Sequence, residues 1–546
     1  MNNVFNNLTN SLSEEFEKFS LDDAVRLSLS KLPEYDLQIN NLVKYNKSKF
    51  FIELQENIVN KINESKIFQT VDKNEVGFLN LCLDHSFLMK KITNTQIDFK
   101  HNKSHKILFD YGGPNIGKPL HVGHMRTLNI GRSLYNIHSF IGNSVVSDIH
   151  LGDWGMPVAQ IITYLENNEL DVSSLDSSQL EVIYPKASEE YKENLKFKNR
   201  AQEINRLLNN NDEHLLQVWG EIKNISITSL EEDFKILDHN FDYWLGESDV
   251  NNLIPGMIDD LINNKKVKED GGALISIEDT EPKILITKSD GSYLYITTDL
   301  ATILYRQKNI GYDKALYIVD NRQSLHFKQL FDSIKFFNFN NLEHEHVSYG
   351  TLNDIEGNPF KTRDGGTKPL NELFDETYDY IEKINNSLDQ STISLLTNSV
   401  LTYSDLITNR KTDYKFDLEK FTNVNGKTGI YIQYSQVRAK KLLENIADEN
   451  STFSTLVLND TDKELLSKLF LFGYFLEQSA SLNEPHHLAS YLYEISNLFN
   501  QFYENEKLSD IVDSDHISSK LFITKLFLTT SNNVMFCLGI TPVSKM

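Results

Sequence analysis

The chain has 546 residues, and its 54 Lys+Arg against 77 Asp+Glu give a net charge of −23 at neutral pH. At 63.0 kDa it should hold about three or four domains, and 40% apolar with 24% charged residues excludes a disordered tail protein. The acidic balance disfavours unspecific adhesion to nucleic acid or anionic membranes, so a nucleic-acid partner would need locally basic patches.

The N-terminus, MNNVFNNLTNSLSEEFEKF, lacks the basic start and apolar run of a secretory leader. No apolar run approaches the about 20 residues of a membrane helix. Cys82 and Cys537 stand far apart and outside metal-ligand spacing, which predicts a reducing compartment and no disulfide framework. A soluble, cytoplasmic protein without a membrane partner is expected.

Residues 1–100 mix amphipathic helical stretches, such as KFFIELQENIVNKI from Lys49, with the strand-like run VGFLNLCL at Val76–Leu83, predicting a small α+β domain. KILFDY (Lys106–Tyr111) predicts a buried strand, followed by the loop GGPNIGKPLHVGH. Thr127, Ile130, Leu134, Ile137 and Ile141 then recur at helical spacing, with Gly142 and Asn143 as the stop. SVVSDIH (Ser144–His150) predicts the next strand, completing a βαβ crossover and hence a parallel, Rossmann-like sheet. KILITK at Lys283, YLYITT at Tyr293 and ALYIVD at Ala315 read as further strands. Between these groups, about 167–249 is charged and helical in pattern and reads as an insertion. Residues 101–424 thus form an α/β core with a helical insertion, and 425–546 a helical bundle.

His121-Val122-Gly123-His124 opens the crossover helix. Its histidines, three apart, share a helix face on the turn where backbone N–H groups and the dipole favour an anion. Gly123 lets a flat ring or sugar approach the backbone, and the imidazoles can donate to charge building on a phosphate in flight. Surface or metal-binding histidines are the plain alternative. Placement after a strand and a Gly/Pro loop favours the nucleotide reading.

The stretch FDYGGPNIGKPLHVGHMRTLNIGRSLYNIHSFIGNSVVSDIHLGDWGMPVAQII resembles the nucleotide-binding signature of class I aminoacyl-tRNA synthetases and, more narrowly, that of the arginyl enzymes. GESDV at Gly246, YLYITTDLATILYR at Tyr293, DNRQSLHFKQLF at Asp320 and HVSYGTLNDIEGNPFKTRDGGT at His346 continue it. So do GKTGIYIQYSQVRAKKLL at Gly426, HLASYLYEISNLFNQFYEN at His487 and the C-terminal LGITPVSKM. The resemblance implies an ATP-dependent arginine–tRNA ligase that forms arginyl-adenylate and passes arginine to the 3′-terminal ribose of tRNA(Arg). Its fold would be a Rossmann-like parallel-sheet core, a small α+β N-terminal domain contacting tRNA, and a helical anticodon-binding domain.

The same resemblance implies that His121, Gly123 and His124 bind ATP. The usual second basic loop is replaced by Phe360-Lys361-Thr362-Arg363, so Lys361 and Arg363, with Lys118 ahead of the histidines, would neutralise the triphosphate. Asp110 and Asp299 match the family's acidic arginine pocket, and Asn115, Tyr295 and Gln323 its polar and aromatic contacts. A guanidinium, a planar five-donor fork, needs such carboxylates. Strand-end capping is the alternative reading of both aspartates. Thr298 stands where many relatives have Arg. GDWG (Gly152–Gly155) would stand beside the site as supporting structure; the plain alternative is Trp154 as core and Asp153 as a cap of the next helix. Tyr431 and Tyr434 would offer stacking platforms for tRNA, and Arg438, Lys440 and Lys441 phosphate contacts. Mg²⁺ would accompany ATP, no protein-held metal is expected, and relatives are mostly monomers. The competing readings are another class I HxGH synthetase, a shorter adenylyltransferase, and a non-catalytic paralogue that binds tRNA or senses arginine.

Overall fold

The computed structural model describes residues 2–94, 104–277, 283–289, 291–339, 342–358, 360, 368–444 and 456–546. The chain forms two compact units: Met1–His101, Phe140–Gly142 and Asn423–Met546 in one, Asn102–Ser139 and Asn143–Thr422 in the other.

The second unit is built on a four-stranded parallel sheet. Strand β1 (Lys106–Asp110) leads into helix α1 (His124–Phe140) and strand β2 (Ser144–Asp148). Helix α2 (Tyr295–Asn309), strand β3 (Lys314–Tyr317), helix α3 (Ser324–Phe337) and strand β4 (Glu343–His346) follow. The spatial order is β4-β3-β1-β2, with Asp110 paired to Asp148 on one side and to Tyr317 on the other. The chain runs from β1 to β2 and then crosses to β3 on the far side of β1. The order therefore reverses between β1 and β3, where a crevice opens beyond the strands' carboxyl ends. The β1 residues Ile107, Leu108 and Phe109 and the β3 residues Ala315 and Leu316 are at most 4% exposed, as strands covered on both faces require.

Helix α1 is buried from Met125 to Leu134 without a break, because it lies between the sheet and the helix Gln390–Leu406. Arg126 Nε donates to Asp405 at 2.9 Å, and Arg132 reaches Thr402. At Gly131 an added Cβ would stand 2.3 Å from the Tyr111 ring, so glycine sets how close helix and strand come. The region read as an insertion holds the helices Ser177–Glu193, Leu195–Asn209 and Glu213–Ile236.

Two strand expectations change. YLYITT is the start of α2 from Tyr295 onward: its β-branched residues favour a strand, yet Ile296, Leu300 and Ile303 form a buried helical face. Thr297 anchors it by donating to Ile286 O. KILITK supplies only Leu285–Thr287, in a separate three-stranded antiparallel sheet with Val267–Asp270 and Ala273–Ser276.

In the first unit, antiparallel strands Leu27–Leu29, Leu37–Ile39, Leu79–Leu83 and Phe68–Lys73 form a sheet, with VGFLNLCL supplying Leu79–Leu83. The helices Asn2–Lys18 and Phe51–Ser65 contribute buried residues such as Phe16 and Ile58, and the helices Gly429–Glu444, Asp460–Phe470, Phe472–Leu482, His486–Asn505 and Ser514–Leu538 contribute others such as Leu465, Leu476, Ile495 and Phe527. Ser514–Leu538 is, contrary to the sequence expectation, long and apolar enough for a membrane span, and 61% of its apolar window is buried within the protein. Its neighbours cover it, Phe499 stacking on Phe527 with centroids 4.1 Å apart. Its burial, not its length and composition, marks it as a core helix.

Candidate active site

A cavity of about 870 Å³ occupies the crevice at the strand-order reversal. Its lining includes Asp110 from the end of β1, Val319 and Asp320 after β3, and both histidines of the HVGH turn. The histidine loop is clamped from outside: Val122 N–H donates to Lys368 O at 3.0 Å and Leu370 N–H to Leu120 O at 2.8 Å. Thr127 closes the seam by accepting from Gly112 N–H and donating to Ile318 O.

The imidazoles lie 3.9 Å apart between centroids. His121 Nδ1 accepts from Gly123 N–H at 3.1 Å, and His124 Nδ1 accepts from His121 N–H at 3.0 Å. Burial holds both rings below the ordinary histidine range, with nearby positive charge adding to it; His124 is pushed down to about 3. Both are therefore neutral at pH 7, and with Nδ1 accepting, each carries its proton on Nε2. Two Nε2–H donors result without a charge held in reserve. Gly123 is exposed between them.

On another wall lie Glu247, Tyr295, Asp299 and His326. His326 Nε2 donates to Asp299 Oδ2 at 2.6 Å, which raises the imidazole's pKa. Burial pushes the Glu247 carboxyl up to about 8, Asp299 and Asp153 adding like-charge repulsion. Asp153 is wholly buried and accepts from Ser248 N–H and Oγ–H at 2.9 and 2.6 Å, so it caps the turn that carries Glu247. The alternative reading, that it caps its own following helix, does not hold: that helix is Met156–Asn167, with Gly155 at its N-cap and no side-chain cap. Trp154 stacks edge-on to Trp219 at 5.3 Å.

Among the residues singled out from sequence, Asp110, Asn115, His121, Gly123, His124, Tyr295, Asp299 and Gln323 all line this cavity. Asn115 presses on Gly152, where a Cβ would lie 1.9 Å from its Oδ1. Asp110 is already engaged: Arg306 Nη1 stands 2.7 Å from its Oδ2 and Arg306 Nη2 2.6 Å from Asp148 Oδ2. Arg306 is 1% exposed, so a buried cation ties β1 to β2. Lys118 is not in the cavity lining; its Nζ lies over the Tyr184 ring at 4.3 Å, although its charge reaches both histidines. Phe360 lines the cavity, whereas Lys361 and Arg363 lie outside the described residues.

In the other unit, Tyr431 donates to Asn497 and packs on Tyr493, while Tyr434 is exposed. Arg438 sits over the rings of Tyr434 and Tyr503 and pairs with Glu504 at 2.8 Å. Lys440 donates to Val543 O, and Lys441 is exposed.

Sequence reasoning singled out neither Glu247, His326 nor Arg306. The GESDV and HFKQ stretches were matched only as stretches, and what marks their residues is burial beside distant carboxylates.

Comparison with known proteins agrees with this geometry. The family described as tRNA synthetases class I (R), catalytic domain, matches residues 85–418, and the DALR anticodon binding domain matches 432–546. The arginine–tRNA ligase of Francisella tularensis subsp. novicida is 34% identical over 469 residues, 80% of this chain and 81% of that protein. That of Agathobacter rectalis is 34% identical over 500 residues, 83% of each. The fold is that of the arginyl-tRNA synthetase structures from Plasmodium falciparum (TM-score 0.80, 24% identity, 99% of each chain) and Thermus thermophilus (TM-score 0.83, 17% identity, 99% and 100%). With a βαβ crevice, paired histidines at a helix start and a helical C-terminal region matched along the chain, the protein belongs to the class I arginyl-tRNA synthetases.

Proposed function

We propose that this cavity joins arginine to AMP and then transfers it to the terminal ribose of tRNA(Arg). The observation that carries this reading is the pairing, in one cavity, of two neutral Nε2–H donors at a helix start with the carboxyls of Glu247 and Asp299.

The arginine carboxylate attacks the α-phosphorus of ATP, brought as its Mg²⁺ complex, and pyrophosphate leaves; no covalent enzyme intermediate is needed. Catalysis is then alignment plus stabilisation of phosphate charge. His121 and His124 donate to phosphate oxygens, Gly123 lies under the adenosine, and Lys118, Lys361 and Arg363 supply countercharge. The guanidinium goes between Asp299 and Glu247 against Tyr295, while Asn115 and Gln323 hold the amino-acid end. Asp110 acts through Arg306 in this arrangement, shaping the floor of the pocket. In the second step a ribose hydroxyl attacks the adenylate carbonyl and AMP leaves. Lysine would leave part of the acidic pocket unpaired, the kind of mismatch that gives rejection on the order of 10⁴-fold, so no editing domain is required.

Residues 1–100 are assigned to the outer corner of tRNA and 425–546 to the anticodon region, in a cytoplasmic monomer. There Lys441 and the ring of Tyr434, which Arg438 covers on one face, are the exposed candidates; Arg438 would have to leave Glu504 to reach a phosphate. The test is ATP-dependent charging of total tRNA with labelled arginine against lysine. Charging with arginine alone supports the reading, and equal charging with lysine refutes the pocket.

A further inference from the structure

A second cluster of donor side chains lies in the helical unit, between the helices Phe472–Leu482 and His486–Asn505. The first ends at Asn483, left-handed at φ +50, and Glu484 N–H donates back to Ser479 O at 3.0 Å. Pro485, at φ −59, starts the next helix. A left-handed residue and a proline two positions apart leave this turn little freedom.

The turn aims three donors at one point. Glu484 Oε2 lies 3.4 Å from His487 Nε2 and 3.8 Å from His486 Nδ1, and all three donor atoms fall within 4.8 Å of one another. The Glu484 side chain is 10% exposed, those of His486 and His487 18% and 22%.

We propose that Glu484, His486 and His487 form a site for a divalent transition metal, Zn²⁺ by the chemistry of its donors. Two imidazole nitrogens and one carboxylate oxygen are a three-ligand zinc set that leaves a fourth position for water. Zinc bonds of about 2.0–2.2 Å in tetrahedral geometry put neighbouring donors about 3.3–3.5 Å apart, so the two measured spacings need only small side-chain rotations. Calcium and magnesium, which take oxygen ligands, fit this set poorly. The helix dipole at the start of His486–Asn505 opposes a cation, and the Glu484 carboxylate provides the compensating charge. The ion would tie the end of one core helix to the start of the next.

The test uses the full, tag-free chain, stripped with a chelator and titrated with Zn²⁺ against a chromophoric competitor. One equivalent should bind with Kd below about 100 μM, a weaker hold than structural zinc sites give. His486→Ala and His487→Ala should each weaken that equivalent by more than about 100-fold, and His121→Ala, which breaks another close histidine pair among the described residues, should leave it in place. Zinc-edge X-ray absorption on the unmodified protein, which needs no variant to fold, should report imidazole and oxygen donors at about 2.0–2.2 Å. Binding weaker than about 100 μM, a sulfur-containing ligand shell, or an equivalent lost with His121→Ala but kept in His487→Ala would each overturn the proposal.

Discussion

If Glu247 receives the guanidinium, arginine binding must depend on pH in a way set by its burial. In the free protein the carboxyl is pushed up to about 8, so only about 9% is ionised at pH 7, about 50% at pH 8 and about 1% at pH 6. A cationic guanidinium binds the ionised form. The apparent affinity for arginine should then rise about 50-fold between pH 6 and pH 8, and binding at pH 7 should release about 0.9 proton. The sign for stability runs the other way. A raised carboxyl pKa favours the fold most below the unfolded value of 4.5, and this contribution is lost as pH climbs through about 8. Isothermal titration of arginine in two buffers of different ionisation enthalpy reads both the affinity and the proton count. Glu247→Gln should flatten the profile and, at pH 8, weaken binding by about 10–150-fold, the range for a hydrogen bond to a charged group. His326 also holds a raised pKa through Asp299, so the part of the pH dependence that survives in Glu247→Gln belongs to it. An unchanged profile in Glu247→Gln, or a wild-type affinity constant from pH 6 to pH 8, would refute the placement of Glu247.

Four other outcomes follow from the same geometry. His124→Ala removes one Nε2–H donor and should lower kcat of adenylate formation by about 10²–10³-fold with tRNA affinity unchanged; a rate within a factor of three contradicts it. Asp299→Ala should chiefly raise the arginine KM, and an unaltered KM would mean the pocket is misassigned. Arg306→Leu leaves Asp110 and Asp148 buried without their cation, which should cost about 3–5 kcal/mol and depress the thermal midpoint, partly restored by adding Asp148→Asn. Gly152→Ala puts a methyl 1.9 Å from Asn115 Oδ1; it should displace that carboxamide and weaken arginine use in steady-state charging while far-ultraviolet circular dichroism stays the same.

The parallel core was readable because βαβ units write themselves locally: an apolar strand, a Gly/Pro loop, a 3.6-period helix and another apolar strand within one short stretch. The placement of the histidine pair in the cavity was readable for the same reason, since it follows from their position at the start of that helix. YLYITT misled because alternating Tyr, Leu, Ile and Thr carries strand propensity, whereas the packing of Ile296, Leu300 and Ile303 decided for a helix. Lys118 shows a different gap: adjacency to the histidine motif gave its charge but not its direction, and Tyr184 of a distant helix captured the ammonium. Asp110 lines the cavity, yet its partner Arg306 comes from another segment that no local pattern links to it. Glu247 was unmarked for the same physical reason. Its raised pKa comes from burial and from Asp299 and Asp153, and no local pattern encodes that meeting.

The most direct measurement is ATP–pyrophosphate exchange with each of the twenty amino acids, with and without total tRNA. The proposed function predicts exchange with arginine alone and only when tRNA is added, since the loop proposed for phosphate, with Lys361 and Arg363, departs from the standard lysine pattern. Exchange supported by another amino acid, or none under any condition despite retained tRNA binding, would contradict it.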